Sequence, residues 1–72
     1  MEIGDVVIPR DPKDFCHTGT CYSHAIVINN DPIILVSEDT EMRWQYITED
    51  KVMVVGTAKP SVLLKCYRRR FE

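Results

Sequence analysis

The chain has 72 residues, of which 44% are hydrophobic and 28% charged, and its formal net charge is −2. This length leaves room for one domain, and the composition is that of a globular protein, which excludes a disordered chain. No apolar run reaches the roughly 18–20 residues of a membrane span, and the start of the chain lacks the basic and apolar regions of a signal peptide, so we expect a cytoplasmic protein with reduced cysteines.

The first predicted strand is Asp5–Ile8, where three consecutive β-branched residues favour an extended backbone. Residues 11–20 contain a proline and a glycine and are predicted to form a loop. The next run, Cys21–Asn29, is almost continuously apolar in its second half. This pattern is typical of a central strand that is buried on both faces of a sheet, or of a strand that twists at a corner.

Asn29–Pro32 is predicted to be a tight turn, because asparagine and aspartate tolerate left-handed backbone and proline fixes the exit from the turn. The following run, Ile33–Val36, is then expected to pair with the preceding strand as an antiparallel hairpin. Beyond the polar segment Ser37–Glu41, apolar and polar residues alternate over Met42–Tyr46. This period of two predicts a half-buried strand.

The fifth predicted strand is Val52–Val55, after a break at Thr48–Asp50 that one turn of 3₁₀ helix would explain. The end of the chain fits two structures. A short helix, with Ser61 as its N-cap or Pro60 just ahead of it, would place apolar residues on one face at helical spacing. An extra strand would instead align alternate apolar residues, so the sequence leaves both open.

These elements together resemble the SH3-like small barrels of the KOW and Tudor type. The likeness covers residues 3–56 and is carried by Gly4-Asp5-Val6-Val7, Ala25-Ile26-Val27-Ile28, Trp44 and Val52-Met53-Val54-Val55-Gly56. It implies a mainly β fold, a five-stranded antiparallel SH3-like barrel with a short C-terminal helix or extra strand. Residues 1–58 would form the barrel and residues 59–72 a basic C-terminal extension packed on it. Small phage or bacterial accessory proteins of this build are also similar.

A second, partial resemblance links Gly4–Val7 and Ser23–Ile28 to the NlpC/P60-type papain-like hydrolases. In that family a strand histidine works with a cysteine nucleophile, which implies His24 here. Cys66 is the candidate nucleophile in the order of circularly permuted relatives. No helix is predicted before residue 21, where the usual members carry their cysteine, and the chain is much shorter than those enzymes. We therefore expect that the protein is not an enzyme, with a minimal or vestigial cysteine hydrolase as an alternative.

Four residues have the ligand chemistry of a zinc site, since thiolate and imidazole are the natural tetrahedral ligands of zinc. They are Cys16, Cys21, His24 and Cys66, and His17 could replace Cys66. Their spacing differs from the usual zinc motifs, which contain pairs of cysteines two residues apart. A loop with a buried cysteine and an exposed histidine is the other interpretation. We predict no cofactor and leave zinc binding open.

Charge is unevenly distributed, with an acidic stretch over residues 31–50 and a basic one over residues 51–72. These stretches could form two surfaces or neutralise each other. Acidic and aromatic residues in the first part of the chain are predicted to bind a partner: Tyr22, Glu38, Asp39, Glu41, Trp44 and Tyr46. Trp44 has a second interpretation, as a core residue. The basic end could bind nucleic acid through Lys65, Arg68, Arg69 and Arg70.

The sequence therefore favours a small non-enzymatic protein-interaction module, a regulator or inhibitor of a larger cytoplasmic machine. It would bind another protein through strand edges, through the loops at residues 11–20 and 37–42, and through its aromatic positions. The alternative is a nucleic-acid-binding small barrel that uses the basic end. An open strand edge would also allow a homodimer, and no membrane association is expected.

Overall fold

A computed structural model describes residues 1–38, 42–45 and 47–71, with the backbone alone for residues 69–71. Within these residues the chain forms a five-stranded antiparallel sheet, a two-stranded hairpin and a C-terminal helix. The strands are β1 (Asp5–Pro9), β2 (Cys16–His17), β3 (Thr20–Cys21), β4 (Ala25–Asn30), β5 (Ile33–Val36), β6 (Arg43–Trp44) and β7 (Val52–Thr57). Turns of 3₁₀ helix span Pro12–Phe15 and Glu49–Lys51, and helix α1 spans Pro60–Phe71.

The main sheet has the strand order β6–β5–β4–β1–β7. The predicted hairpin is confirmed: β4 pairs antiparallel with β5, with Val27 opposite Leu35 and Asn30 opposite Ile33. The Asn29 side chain stabilises the turn, because its Nδ2 donates a hydrogen bond to the Pro32 carbonyl at 2.7 Å. Across the described residues no ladder joins β6 to β7, so this sheet has two ends.

Both faces of the sheet are covered, as the continuous apolar run in β4 predicts. Successive side chains of a strand point to opposite faces, so Ala25 and Val27 lie on one face and Ile26 and Ile28 on the other. The first face carries the buried residues Val7, Phe15, Ala25, Val27, Leu35, Trp44 and Val52. The second carries the buried residues Ile26, Ile28, Ile34, Val36 and Cys66. We call the second one the helix face, because α1 packs on it.

Residues 11–20 contain more structure than the predicted loop. Asp11 caps the first 3₁₀ turn by accepting a hydrogen bond from the Lys13 amide at 3.1 Å, and this turn buries Phe15. The hairpin β2–β3 follows. The predicted strand Cys21–Asn29 is therefore wrong at its start, because Cys21 pairs back with Cys16 and β4 begins at Ala25.

The C-terminal segment is a helix, so the extra-strand alternative is wrong. Helix α1 begins at Pro60, a position that suits proline because the first helical amide has no partner within the helix. The Leu63 amide donates to the Lys59 carbonyl at 3.0 Å, which makes Lys59 the capping residue in place of the predicted Ser61. Val62, Leu63 and Cys66 then pack on the helix face. No helix within the described residues is long and apolar enough to cross a bilayer.

Candidate functional site

Strand β7 lies at one end of the sheet, with β1 as its neighbour on the inner side. Val54 and Val55 are 51% and 54% exposed, and Met53 is 39% exposed. Proteins usually protect an edge strand with charged residues, with proline or with a bulge. The sequence of β7 contains neither a charged residue nor a proline. This edge therefore combines exposed apolar side chains with little of the usual protection.

The register with β1 determines which backbone groups of β7 face outwards. Pro9 lies opposite Val52, and the Arg10 amide donates to the Lys51 carbonyl at 2.9 Å. Hydrogen-bonded and non-hydrogen-bonded pairs alternate along an antiparallel ladder. The pairs that contain Val52 and Val54 are therefore non-hydrogen-bonded, and the N–H and C=O groups of both residues point away from β1. An incoming strand would meet the N–H and C=O groups of Val54 and the C=O group of Val52, because the Val52 N–H already donates to the Glu49 carbonyl.

A bulge limits the length of this edge. The register with β1 shifts between Val6 and Val7, because Val7 lies opposite Val54 while Val6 lies opposite Gly56. Val55 is the extra residue, and a bulge of this kind bends the strand and interrupts the ladder. The regular part of the edge is thus the first half of β7. Val52 anchors this half, since it is buried in the core with 3% exposure.

Charged residues stand at both ends of β7. Asp50 and Lys51 precede the strand, Lys59 follows it, and all three are exposed. The Thr48 hydroxyl donates a hydrogen bond to the Asp50 carboxylate. This bond favours the ionised form and lowers the pKa of Asp50 below its ordinary value of 3.8, with smaller contributions from the backbone and from nearby cations. The edge therefore has an apolar centre and charges of both signs at its margins.

Trp44 is a core residue, with 8% of its surface exposed. Phe15 stacks on it with 4.6 Å between ring centroids and 20° between ring planes. Tyr22 meets it edge-on at 5.3 Å and 83°. We call Phe15, Tyr22 and Trp44 the aromatic cluster. Of the predicted partner-binding residues, Tyr22 and Trp44 are thus brought together, although mostly inside the core.

A pocket of about 360 Å³ opens beside the aromatic cluster and is lined by Arg43, Trp44, Gln45 and Ile47. The predicted partner residues Asp39, Glu41 and Tyr46 lie outside the described residues. Among the described members of this predicted surface, Trp44 is the one that lines the pocket.

Glu38, the remaining predicted partner residue, binds His24. Its Oε2 lies 3.0 Å from His24 Nε2, and Ser23 Oγ lies 2.9 Å from His24 Nδ1. Both nitrogens of the imidazole ring are thus engaged. Cys66 is fully buried on the helix face. The hydrolase resemblance implies a pair of Cys66 and His24, in which one nitrogen of the imidazole ring would take the proton of the thiol.

A disulfide joins Cys16 and Cys21, whose Cα atoms lie 4.0 Å apart on opposite strands of the hairpin β2–β3. The prediction of reduced thiols is therefore wrong for this pair, while Cys66 is a buried thiol. The sequence missed the pair because it depends on the register of a hairpin in a predicted loop. In the part of the chain that the structure describes, no three cysteine, histidine or acidic residues are grouped around a metal position.

The basic end is helical. Lys65 and Arg68 are exposed and lie three residues apart on α1, so they share its outer face. The side chains of Arg69 and Arg70 lie outside the description. Two of the four predicted nucleic-acid residues are thus placed side by side.

No protein-family model, curated protein or solved structure matches the chain. Val54 and Val55 are the site residues that the sequence did not single out. Their signal was the uncharged, β-branched run of the fifth strand, whose position at the end of the sheet depends on pairing with the far end of the chain.

Proposed function

We propose that the protein is a small, non-enzymatic protein-interaction module that receives a strand of another protein at the edge of β7. The observation that carries this proposal is an uncharged strand at the end of the sheet with Val54 and Val55 half exposed. An extended segment can add to such an edge through main-chain hydrogen bonds, with side-chain contacts providing specificity.

The partner segment has a chemistry that the edge defines. It needs an extended backbone to bond the N–H and C=O groups of Val54 and the C=O group of Val52, and apolar side chains to cover Val54 and Val55. Because the bulge interrupts the ladder after Val54, the segment pairs over a short length. Charged residues at the ends of the segment would meet Lys51 and Lys59 at the margins.

We assign the sheet to the SH3-like barrel type as part of the same proposal. Two features support this assignment. The order β6–β5–β4–β1–β7 is that of a meander whose last strand returns to the first. A single 3₁₀ turn, Glu49–Lys51, stands directly before the last strand. A barrel of this type with β7 at an open side would leave the edge accessible.

Val54→Lys should weaken partner binding, because it places a charge on the apolar edge without removing a core residue. The matched control is Leu64→Lys, at a position on α1 that is 53% exposed. Immobilised wild type and both variants would be used to capture proteins from a lysate of the source cells, and the bound proteins would be quantified. We expect one stoichiometric protein with wild type and Leu64→Lys. With Val54→Lys its affinity should fall at least about tenfold, which corresponds to about 1.4 kcal/mol.

Equal capture by Val54→Lys and wild type would contradict the use of this edge. Equal loss from both lysine variants would mean that added charge alone disturbs binding. Light scattering on the purified protein measures its oligomeric state. A dimer that Val54→Lys converts to a monomer would show that a second copy of this chain occupies the edge.

Nucleic-acid binding is a second candidate, favoured by the shared outer face of Lys65 and Arg68. The test is a titration of a fluorescent single-stranded oligonucleotide of mixed sequence with protein, which gives the binding constant at several salt concentrations. For Lys65→Glu/Arg68→Glu, the slope of log K against log[salt] should fall by about 1.4, since each phosphate contact to a single strand contributes about 0.7. Arg10→Glu/Lys13→Glu is the control with equal charge change. No binding by wild type at low salt would reject this candidate.

A further inference from the structure

The disulfide adjoins the rings that cover Trp44. Phe15 directly precedes Cys16, Tyr22 directly follows Cys21, and the Tyr22 amide donates to the Phe15 carbonyl at 2.9 Å. Phe15 and Tyr22 thus form one cross-strand pair, and Cys16 and Cys21 form the next pair along the same hairpin. Because the disulfide links the cysteine pair, it fixes the separation of the two chain segments that carry the rings.

The hairpin has little else to hold it. Its strands have two residues each, and such a hairpin is marginally stable in water. The turn requires left-handed backbone at Thr18 and Gly19, with φ of 48° and 82°. A β-branched residue rarely adopts this conformation. His17, Thr20 and Cys21 are all exposed, so burial contributes little to the outer part of the hairpin.

The disulfide is accessible to a dithiol reductant, because Cys21 is exposed and Cys16 half-buried. One thiolate of the dithiol attacks a sulfur of the bridge, the S–S bond breaks, and the other cysteine leaves as a thiolate and takes a proton. The second thiol of the reagent then breaks the mixed disulfide and releases the first cysteine. Two electrons and two protons pass to the protein, and the dithiol becomes a disulfide.

We propose that Cys16–Cys21 is a redox-sensitive clamp on the aromatic cluster. In the oxidised protein the bridge keeps Phe15 and Tyr22 against Trp44. Reduction by a dithiol releases the hairpin, the two rings separate, and Trp44 becomes accessible beside the pocket lined by Arg43, Gln45 and Ile47. The clamp acts on the face of the sheet opposite the helix face.

Trp44 is the single tryptophan of the sequence, so its fluorescence reports on the cluster directly. The experiment uses full-length protein purified without reductant, before and after treatment with dithiothreitol, and the variant Cys16→Ser/Cys21→Ser. We expect reduction to shift the emission to longer wavelength and to increase quenching by acrylamide, and the double variant to match the reduced protein without treatment. Cys66→Ala keeps the bridge and should respond to dithiothreitol as wild type does.

Alkylation and mass spectrometry under denaturing conditions count the thiols in each sample. The proposal is overturned if all three cysteines are alkylated before reduction, or if reduction is complete and the emission is unchanged. Far-UV circular dichroism provides the remaining test. Preserved sheet signal in the reduced protein supports a local clamp, and loss of the whole signal overturns it in favour of a cross-link needed for global folding.

Discussion

Replacing Trp44 with alanine should leave a large fraction of the protein, about half, unfolded at 25 °C. Trp44 is 8% exposed and stacked on Phe15, which is fully buried. Truncating a buried tryptophan to alanine costs about 3–5 kcal/mol of unfolding free energy. A core of this size provides roughly the same amount, about 3–5 kcal/mol, in total. Urea unfolding followed by far-UV circular dichroism would measure the loss.

Two variants make this result specific. Trp44→Phe keeps a ring against Phe15 and should retain a cooperative unfolding transition at a lower urea concentration. Leu64→Ala removes a half-exposed side chain and should change the unfolding free energy by no more than about 0.5 kcal/mol. A Trp44→Ala protein with the stability of wild type and a defect in partner binding alone would contradict the core position and support the partner-binding interpretation of this residue.

Local sequence signals were sufficient for the centre of the sheet. The turn at Asn29–Pro32 and the β-branched residues beside it act over a few positions, so β5 was predicted at its observed bounds and β4 near its own end. Burial of β4 on both faces also followed from one continuous apolar run. Each of these features depends on neighbours in sequence, and sequence patterns report such neighbours directly.

Features that depend on distant contacts could not be read in the same way. Phe15 lies in a segment that reads as a loop, and its core position appears only when Trp44 stacks on it. The sequence of residues 57–72 fits either a helix or a strand, which differ in hydrophobic periodicity. The helix is favoured because its apolar residues pack on the helix face of the sheet. The edge position of β7 follows from its pairing with β1, which joins the two ends of the chain.

The helix and the sheet depend on each other through their shared apolar contacts, and this leads to a second prediction. Cys66→Asp should detach α1 and destabilise the whole protein. Cys66 is fully buried against Ile26, Ile28 and other apolar residues of the helix face. An ionised carboxylate there has no compensating charge among these neighbours, and detachment returns large side chains to water at about 1.5–3 kcal/mol for each one fully exposed. Urea unfolding, together with binding of a dye for exposed apolar surface, would measure both effects.

Lys65→Asp is the matched control, because it introduces the same side chain at the adjacent, exposed position of α1. We expect its unfolding free energy to stay within about 0.5 kcal/mol of wild type. The opposite outcome has a definite meaning. A Cys66→Asp protein that unfolds at the wild-type urea concentration, with its helix detached, would show that residues 1–58 are stable alone and that residues 59–72 are a separable extension. The packing of α1 on four large apolar side chains, Ile26, Ile28, Ile34 and Val36, argues for the dependent case, in which sheet and helix fold as one unit.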